Sequence, residues 1–427
     1  AITDIGTTNP SRWLRSVGLN RRPIDLARYR HGVAHLAAVS ADARRDITDD
    51  AVVIVGGGPV GLLAATVLAR QGIRVVVLEA AGSKERQRAV HGVQTFYQGR
   101  PVFVMSSYAP SRIPGPWNPA AWGMSLSQRT IEDETLTEAL ELGVEYHPGT
   151  AVTDISTDHT GARLMLASGE RVRASYVIAA DGTKSAIRQA LRIGMSERPP
   201  SPSCLVIDVE PHPDGTTVDL PVQIQYHHPD LGGRHAIRLP YPDGLRLDVQ
   251  FLSKDEAPPT TEQVRSWVTA LTRDQWYADH IRSVEVHQTI QGVAASYTDV
   301  NRRVLLAGEA AHQFAPLGGR SLNSGVADAI VAAEAIAEAL SEPSDLAAAW
   351  LAINRSARER RRSGVRNRML SVRAQRVLDG SDVSMRARRT MAAKSAPHVW
   401  IAGAWLTAGL VRPTAIPHIS RSGVTWS

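Results

Sequence analysis

The spacing of hydrophobic and polar residues changes several times along the chain, and each pattern predicts a different element. Residues 52–80 read VVIVGGGPVGLLAATVLARQGIRVVVLEA. Two short apolar runs flank a segment of small residues, which predicts a buried strand, a helix and a second buried strand. Residues 203–252 instead contain four alternating runs, CLVIDVEP, VQIQYHH, HAIRLPYP and LRLDVQF. This alternation is typical of an antiparallel sheet.

Helical spacing and further apolar runs predict the remaining elements. Helices are predicted at 126–142, where Gly143 ends the helix, at 260–272, and in the alanine-rich stretch 324–340. Shorter apolar runs predict strands near 150–155, 162–167, 170–179, 284–295 and 303–308. The segment 84–123 is rich in Pro, Trp and Tyr, and it is predicted to be irregular.

The order of these elements predicts a mixed α/β (α+β) fold in which a Rossmann-like domain is split by an inserted antiparallel sheet. The length of 427 residues is sufficient for more than one structural unit. The predicted units are a partly helical N-terminal extension (1–50), the first part of a dinucleotide-binding domain (51–200), an antiparallel-sheet substrate domain (201–296), the second part of the first domain (297–345) and a C-terminal helical segment (346–427).

The glycines between the first strand and the first helix fit the GxGxxG pattern of dinucleotide-binding folds. Gly56 allows a tight turn, Gly58 has no Cβ to block a pyrophosphate, and Gly61 lets the helix pack closely on its strands. The phosphates then lie at a helix N-terminus, which favours negative charge. Glu79 ends the second strand, where a carboxylate binds ribose hydroxyls and repels a 2′-phosphate. FAD or NAD is therefore the predicted cofactor.

Composition narrows the chemistry further. Cys204 is the single cysteine, which excludes an intrachain disulfide and a cysteine-based metal site, and no metal site is predicted. Redox chemistry must therefore come from a bound cofactor. No apolar run approaches the roughly 18 residues needed to span a bilayer. We expect a cytoplasmic protein without membrane contact; a twin-arginine export signal at Arg21 and Arg22 is disfavoured because Arg30 interrupts the following apolar stretch.

The net charge of +6 and the pI of 9.6 raise the question of nucleic-acid binding. The densest basic cluster consists of Arg355, Arg358, Arg360, Arg361, Arg362, Arg366 and Arg368. It falls in a predicted helix and has no interleaved aromatic residues for base stacking. A solvated helix face, or a contact with an acidic partner, is favoured over nucleic acid.

Three further segments resemble one superfamily. Residues 176–188 (YVIAADGTKSAIR) resemble the Asp-Gly motif of single-component, group A flavoprotein monooxygenases, and residues 305–329 (LLAGEAAHQFAPLGGRSLNSGVADA) resemble their second FAD motif. SQRTIE at 127–132 is similar to the start of a helix near the flavin. Together with the glycine turn, the resemblance covers about residues 51–345. It implies FAD as cofactor and the fold of para-hydroxybenzoate hydroxylase.

The resemblance also implies which residues bind FAD. They are Gly56, Gly58, Gly61, Glu79, Arg88, Gln128, Asp181, Gly308, Glu309, Pro316, Gly318, Gly319, Leu322 and Asn323. Backbone N–H groups near Leu322 and Asn323 would face the pyrimidine edge of the flavin, where a helix N-terminus stabilises negative charge. Glu309 stands where the family has aspartate, and Arg320 stands where it has glutamine. Arg320 would raise the flavin's reduction potential if it faced the ring, but a solvent-facing orientation is expected.

In the family, NAD(P)H reduces the FAD, and O₂ then forms a flavin C4a-hydroperoxide that hydroxylates an activated ring. The resemblance therefore implies a monooxygenase acting on an aromatic or polyketide-like small molecule, in secondary metabolism or aromatic catabolism. Such chemistry needs a dry pocket more than a catalytic side chain. Tyr226 or His227 is a candidate start of a proton relay, Arg320 is a further catalytic candidate, and His312 is interpreted as structural. Substrate contacts are predicted from the inserted sheet, at Gln223, Tyr226, Arg238, Tyr241 and Gln250.

Two other functions are left open by these residues. One is a reductase, dehydrogenase or halogenase of the same fold that inserts no oxygen, although WNPAAW at 117–122 does not match the WxWxIP motif of halogenases. The other is a binding protein with an inactive flavin fold. The apolar residues Trp400, Trp405 and Leu410 predict either docking of the C-terminal segment on the FAD domain or a homodimer contact.

Overall fold

The structure is a computed structural model that describes residues 51–80, 92–106, 128–197, 203–241, 244–253, 256–287, 290–315, 320–341, 345–379 and 383–411. Its strands are β1 (Val52–Val55), β2 (Val75–Glu79), β3 (Gly92–Tyr97), β4 (Arg100–Ser106), β5 (Glu145–Pro148), β6 (Val152–Thr157), β7 (Ala162–Leu166), β8 (Arg171–Ala174), β9 (Tyr176–Ala179), β10 (Met195–Glu197), β11 (Cys204–Val209), β12 (Val222–His228), β13 (Arg234–Tyr241), β14 (Gly244–Gln250), β15 (Ile281–His287), β16 (Gly292–Ala294), β17 (Val304–Leu306) and β18 (His312–Gln313).

The helices are α1 (Pro59–Ala69), α2 (Gln128–Glu141), α3 (Ala186–Ala190), α4 (Thr261–Thr272), α5 (Gln275–Asp279), α6 (Arg320–Ser341), α7 (Leu346–Asp379), α8 (Val383–Ser395) and α9 (Trp400–Val411). Short 3₁₀ helices lie at Thr216–Asp219, Pro229–Leu231 and Gly308–Ala310.

The predicted Rossmann-like unit forms a five-stranded parallel sheet in the order β17-β9-β1-β2-β5. All four residues of β1 are buried, as expected for a central strand covered on both faces. Helix α1 packs against α2 and α6. The antiparallel sheet β6-β7-β8 contributes Ile155, Leu164 and Val172 to the same apolar core.

The inserted domain contains a seven-stranded sheet in the order β15-β11-β14-β13-β12-β3-β4. Its strands pair antiparallel except for β3 and β12, which are parallel. The prediction of irregular structure over 84–123 is wrong at β3 and β4, because the edge of β12 supplies hydrogen-bonding partners from far along the chain. The predicted strand at 284–295 is in fact two strands, β15 and β16, that belong to different sheets.

The two faces of the seven-stranded sheet have different neighbours. One face, here called the outer face, packs Leu247 and Val249 against Val264 and Trp267 of α4. The opposite, inner face places Ile224 and Tyr226 in a cluster with Ala315, which belongs to the second flavin motif, and with residues of α7, α8 and α9. The inner face is therefore turned toward the cofactor-binding domain.

The C-terminal segment is helical, as predicted, over α7, α8 and α9. Helix α7 lies along α6, and α9 docks on β3 and β4. Two buried polar contacts fix α9 to the sheet: the Tyr226 hydroxyl donates to the carbonyl oxygen of Leu406 at 2.8 Å, and the hydroxyls of Thr95 and Thr407 lie 2.7 Å apart. Among the described residues, no helix combines the length and the apolar character that a membrane crossing requires.

Candidate cofactor and substrate site

Four strands of the parallel sheet end at residues predicted to bind the cofactor. Gly56 follows β1, Glu79 is the last residue of β2, Asp181 follows β9, and Gly308 follows β17. Since these strands are parallel, their carboxyl ends meet at one edge of the sheet. Ligands of open parallel sheets bind at this edge.

The glycine turn after β1 has no room for side chains. Gly56 has a φ of +107°, and a Cβ there would lie 2.3 Å from the carbonyl oxygen of Ala180. A Cβ on Gly61 would lie 1.9 Å from the carbonyl oxygen of Gly56. Gly58 is the N-cap of α1, with extended backbone and no side-chain cap. The turn therefore brings bare backbone to the N-terminus of α1, which suits a phosphate.

Glu79 lies beside this turn. Its carboxylate accepts a hydrogen bond from the backbone N–H of Gly57. The side chain is half-buried. A carboxylate fixed at the end of β2, next to the glycine turn, is placed for the hydroxyls of an adenosine ribose.

Asp181 carries an acceptor with unused bonding capacity. Its Oδ2 accepts from the backbone N–H of Ile187 at 3.1 Å, while its Oδ1 is buried without a hydrogen-bond partner among the described residues. Burial raises the pKa of this carboxyl, although hydrogen bonds from Ser185 and Ile187 oppose the change. A buried acceptor without a partner is costly, so a hydroxyl donor from a cofactor fits this position.

Glu309 lies in the 3₁₀ helix after β17, where Gly308 adopts a φ of +59°. The side chain is exposed, while partial desolvation by the surrounding protein raises the pKa of its carboxyl and nearby His312 opposes the change. Glu309 is therefore open to a polar ligand.

Two residues that the sequence did not single out join the Asp181 loop to the second flavin motif. Arg188 donates to the carbonyl oxygens of Ala310 at 3.0 Å and Thr183 at 3.1 Å. The amide of Gln313 donates to the same Thr183 oxygen at 2.9 Å. These bonds fix the two segments relative to each other. Arg188 is the last residue of the Asp-Gly motif, and this position in the motif could have indicated its role.

Asp328, on α6, is the centre of a buried network that the sequence also did not reveal. Its Oδ2 accepts from the backbone N–H of Gly308 at 3.1 Å and contacts Nε2 of His312 at 2.7 Å. Its Oδ1 accepts from Nε of Arg360 at 2.7 Å. Burial disfavours the charged carboxylate, but Arg360 and His312 outweigh burial and lower the pKa of Asp328. His312 is fully buried in this network, which agrees with the structural role predicted for it.

Helix α7 holds the described segments on both sides of residues 316–319. Arg360 donates to the carbonyl oxygen of Ser324 at 3.3 Å, and Asn367 donates to the Ser324 hydroxyl at 2.8 Å. The hydroxyl of Ser371 accepts from the backbone N–H of Ala315 at 3.1 Å. The start of α6 and the end of the segment 290–315 are thus attached to one face of α7.

Arg320 is buried, with 4% of its surface exposed, so the expected solvent-facing orientation is wrong. It is the first residue of α6, and packing of α6 against α7 decides which residues at this end are covered. Leu322 and Asn323 are half-buried in the first turn of the same helix.

Several predicted site residues lie outside the described part of the chain. Arg88, Pro316, Gly318 and Gly319 are among them, and so are the side chains of Gln128 and Tyr241. These predictions stay as the sequence made them.

The strand register separates the predicted substrate residues. Gln223 and Arg238 are directly opposite each other on the outer face. Arg238 is buried at the end of α4, where it donates to the carbonyl oxygen of Leu271 at 3.0 Å, and burial lowers its pKa to about 10. The guanidinium thus caps a helix, because alternation along β13 turns it away from the inner face. This position argues against a substrate contact for Gln223 and Arg238.

Tyr226 and His227 are engaged with the C-terminal helices. Tyr226 is fully buried on the inner face, and burial raises the pKa of its hydroxyl, which donates to Leu406. His227 has a φ of +51°, its Nε2 accepts from Arg389 of α8, and its Nδ1 lies 3.3 Å from the carbonyl oxygen of Gly233. Because these groups already have structural partners, the geometry argues against a proton relay that begins at either residue.

The inner face has a buried polar group next to Gln250. Gln250 pairs in register with Cys204, and Asp248 lies two residues before it on the same face. Cys204 belongs to β11, and Asp248 and Gln250 belong to β14. Asp248 accepts from Nε of Arg246 at 2.7 Å. Burial raises the pKa of the Cys204 thiol, which disfavours its nucleophilic thiolate form. Asp248 was not predicted from the sequence as a site residue, although it lies two residues before Gln250 and so shares a strand face with it. Among the described residues, no group of three or more His, Cys, Asp or Glu could hold a metal ion.

The glycine cradle, the unpartnered Asp181 oxygen and the carboxylates at the strand ends all fit a dinucleotide with free hydroxyls. The model of the FAD binding domain family matches residues 49–95 and 119–363. The chain belongs to this family, which confirms FAD as the predicted cofactor.

Curated proteins that are similar to this chain include two monooxygenases. The chain is 28% identical over 309 residues to the 12-dehydrotetracycline 5-monooxygenase/anhydrotetracycline 6-monooxygenase of Streptomyces rimosus, a match that covers 65% of this chain and 61% of that protein. It is 26% identical over 314 residues to the rifampicin monooxygenase of Streptomyces venezuelae, covering 65% and 62% of the two chains. The chain thus matches about three fifths of the length of these relatives.

Solved structures agree on the fold. The p-nitrophenol 4-monooxygenase of Pseudomonas putida superposes with a TM-score of 0.65 at 21% identity, over 85% of this chain and 98% of that one. The anhydrotetracycline hydroxylase of Streptomyces rimosus gives a TM-score of 0.61 at 24% identity, over 86% and 78% of the chains. The predicted mixed α/β fold and the resemblance to flavin hydroxylases are confirmed.

Proposed function

We propose that the chain is an FAD-dependent monooxygenase that uses NAD(P)H and O₂ to hydroxylate an aromatic or polyketide-like small molecule. The observation that carries this proposal is the meeting of the flavin motifs with the inserted sheet. Gly56, Asp181 and Gly308 lie at one edge of the parallel sheet, and Ala315, from the same motif as Gly308, packs against the inner face. A cofactor at that edge lies next to a second domain that can hold a substrate.

The chain's own residues would hold FAD by its pyrophosphate and by the hydroxyls on either side of it. The backbone of the glycine turn and the N-terminus of α1 receive the pyrophosphate, and Glu79 receives the ribose hydroxyls. Asp181 and Glu309 accept hydrogen bonds from the remaining hydroxyls of the cofactor. When bound, FAD supplies the electron transfer between NAD(P)H and O₂ that side chains cannot provide.

Positive charge at the start of α6 supports this chemistry. The first turn of α6 contains Leu322 and Asn323, whose backbone N–H groups are at the positive end of the helix dipole. The guanidinium of Arg320 is buried at the same end. Both features favour the reduced, anionic form of a ring placed there, and so would raise its reduction potential.

The packing around the inner face excludes water and leaves a polar area for substrate. Ile224, Ala315 and Leu406 form an apolar cluster beside the flavin motif. Asp248 and Gln250 lie farther along the inner face. Asp248 accepts from Arg246 through Oδ1 at 2.7 Å and through Oδ2 at 3.4 Å, so the more weakly bonded Oδ2 is the oxygen offered to a substrate hydroxyl. With Tyr226 and His227 engaged elsewhere, we propose Asp248 as the group that receives a phenolic proton through a hydrogen bond.

The cytoplasmic location goes with this proposal, since NAD(P)H is available there, and the predicted homodimer stays untested. A non-oxygenating flavoprotein of the same fold is the second candidate. It is favoured by 27% identity over 308 residues to the dialkyldecalin synthase of Streptomyces rugosporus, a match that covers 66% of this chain and 64% of that protein. The sequence also left a reductase or dehydrogenase open, and such an enzyme would use the same FAD site.

The test begins with the purified protein and its flavin. Bound FAD is measured from the absorbance spectrum, anaerobic NADH or NADPH is added, and ¹⁸O₂ is then admitted in the presence of p-nitrophenol or anhydrotetracycline. We expect the pyridine nucleotide to bleach the flavin and a product to carry one ¹⁸O atom by mass spectrometry. Asp248→Asn should lower labelled product at least tenfold without weakening FAD binding, since it changes only the inner face.

The outcomes separate the candidates. Retained FAD that is reduced but never yields a labelled product with either probe supports the reductase or dehydrogenase. If NADH and NADPH do not reduce the bound FAD, while the protein still binds anhydrotetracycline, the result supports a role like that of the dialkyldecalin synthase. A protein that neither retains nor binds FAD overturns the proposal.

A further inference from the structure

Over residues 355–376, the solvent-exposed side of α7 is almost entirely positive. Between residues 355 and 376 the exposed side chains include six arginines at helical spacing, here called the arginine stripe: Arg355, Arg358, Arg362, Arg366, Arg373 and Arg376. Glu359 and Met369 are the other exposed residues in this range. Steps of three and four residues place the arginines in one line, which extends for about 32 Å at 1.5 Å per residue.

Helix α7 carries a net positive charge as large as that of the whole chain. Helix α7 contains nine arginines and two acidic residues, Glu359 and Asp379. This excess is larger than the net charge of +6 for the complete chain, so the rest of the chain is close to neutral. A general preference for arginine would place acids and bases together along the surface, as surfaces normally do. The concentration in one helix needs a local reason.

Most arginines of the stripe are not used in holding the fold. In the described part of the chain, Arg355 pairs with Glu338 of α6 at 2.6 Å, and the other five arginines form no ion pair. The buried arginine of the same helix, Arg360, points the other way and bonds to Asp328 and Ser324. Helix α7 thus has one face that supports the flavin motif and an opposite face on which five of the six arginines have no ion-pair partner among the described residues.

We propose that the arginine stripe is the docking surface for an acidic helix of another protein. The spacing of the arginines indicates the partner. Carboxylates repeated every three to four residues on another helix have the same spacing of about 5–6 Å as the arginines of the stripe. Two such helices can pair along the full length of the stripe, and guanidinium groups bind carboxylates through two hydrogen bonds each. Like-charge repulsion along the free stripe is relieved when the partner binds.

Other anionic partners fit less well. Phosphates of a DNA duplex wind around its axis, so a straight convex helix meets only a few of them, and the stripe has no aromatic residue for base stacking. A membrane-surface helix requires large apolar side chains along its basic face. Between residues 355 and 376 the stripe has only Met369, and the other large exposed apolar residues of α7, Leu346, Trp350 and Leu351, precede the first arginine.

The experiment measures binding to defined probes by fluorescence anisotropy, with the full chain loaded with FAD. The probe is an alanine-based helical peptide of about 24 residues, ~36 Å long, with glutamates at alternating three- and four-residue steps. A peptide of the same composition, with the glutamates distributed around the helix, is the matched control. Duplex DNA of 20 base pairs and vesicles containing phosphatidylserine complete the set, at about 50 and 200 mM salt.

Two triple variants test the position of the charge. Arg358→Gln/Arg362→Gln/Arg366→Gln removes the middle of the stripe, and Arg163→Gln/Arg171→Gln/Arg173→Gln removes three exposed arginines from β7 and β8. Both change the net charge equally. We expect the stripe variant to bind the patterned peptide about tenfold more weakly and the control to bind within twofold of wild type, since each exposed pair contributes only a fraction of a tenfold change.

The proposal is overturned if the control peptide binds as tightly as the patterned one, because the helical period would then be irrelevant. Tighter binding of the DNA or of the vesicles would assign the stripe to another class of partner. Equal weakening by both triple variants would show a net-charge effect only, and absence of binding to every probe would leave the stripe as a solvated surface. FAD binding by all variants is independent of these results.

Discussion

Glycine at position 61 is required by the space around it. A Cβ there would lie 1.9 Å from the carbonyl oxygen of Gly56 and 3.1 Å from Cγ2 of Ile54. Both atoms belong to the buried start of the Rossmann unit, and the oxygen is backbone, so neither can move away without shifting α1 from its turn. Gly194, by contrast, has a backbone that any residue adopts, and no atom lies within 4 Å of the point that a Cβ would occupy there.

We therefore expect Gly61→Ala to weaken FAD binding at least tenfold and to lower the free energy of unfolding by about 1–3 kcal/mol, the usual cost of overpacking. Gly194→Ala should leave both within error of wild type. FAD titration by flavin fluorescence and urea unfolding of the cofactor-free protein measure the two effects. Wild-type FAD affinity in Gly61→Ala would contradict the assignment of the turn.

Single residues also show which features the neighbouring sequence cannot predict. The glycines and Glu79 were found from the sequence because their roles depend on the chain within about 25 residues. The burial of Arg320 could not be found in this way, since it depends on how α6 packs against elements distant in the chain. Arg238 was misplaced for a similar reason: its strand was correct, but the position of α4 decides which face is outer.

Helix α7 acts as a rigid support for the second flavin motif. Ser356 and Ser371 are both buried in it, and each makes one hydrogen bond to a neighbouring segment. The Ser356 hydroxyl donates to the carbonyl oxygen of Val331, in the middle of α6, at 3.4 Å. The Ser371 hydroxyl accepts from the backbone N–H of Ala315, the last described residue before α6. The two serines therefore differ mainly in how near their partners are to the cofactor.

Ser371→Ala should weaken FAD binding about three- to tenfold, because the Ala315 amide loses its partner and the chain beside the flavin is held less firmly. Ser356→Ala should change FAD affinity less than twofold. Hydrogen exchange of the cofactor-free protein offers a second readout, in which the Ala315 amide exchanges faster in Ser371→Ala only. If both variants weaken FAD equally, α7 contributes general stability and no local support.

Secondary structure was predicted best where its signal is local. The four strands at 203–252 and the helices at 126–142, 260–272 and 324–340 have counterparts in the structure within a few residues. The strands β3 and β4 were not predicted, since β3 forms by pairing with β12, more than 120 residues away. Local alternation could not show that this edge was available.

Helices α8 and α9 dock on the inner face of the seven-stranded sheet. Arg389 is buried there, with its guanidinium over the ring of Tyr226 and its N–H groups on His227 and on the carbonyl oxygens of Val377 and Leu378. His235 lies against His227, with ring centroids 4.6 Å apart. Burial, followed by the charge of Arg389, lowers the pKa of His235 to about 2, and the same causes lower the pKa of His227.

This arrangement predicts loss of stability in weak acid. A histidine in the unfolded chain has a pKa of about 6.5, so between that value and the depressed folded value the unfolded state binds a proton that the folded state does not. Stability therefore falls as the pH decreases below 6.5. For His235 alone, the free energy of unfolding should fall by ~2 kcal/mol between pH 7 and pH 5, and His227 adds to the decrease.

Urea unfolding at pH 7, 6 and 5 measures this dependence. His235→Gln should remove about half or more of the decrease, because the variant has no imidazole to protonate when unfolded. His159→Gln, at an exposed histidine, serves as the control and should keep the wild-type slope. An unchanged slope in His235→Gln would show that other groups govern acid stability.

The sequence by itself determined the cofactor and the fold family of this protein, because the glycine turn, Glu79 and the two flavin motifs are short segments whose residue types follow from contact with one ligand. It also determined that α7 is strongly basic. Only the tertiary structure decided that these arginines form one exposed stripe, that Asp328 connects Gly308 to Arg360, and that Tyr226 and His227 serve the C-terminal helices. These facts depend on which faces of distant elements meet, and hydrophobic packing of the complete chain selects those faces.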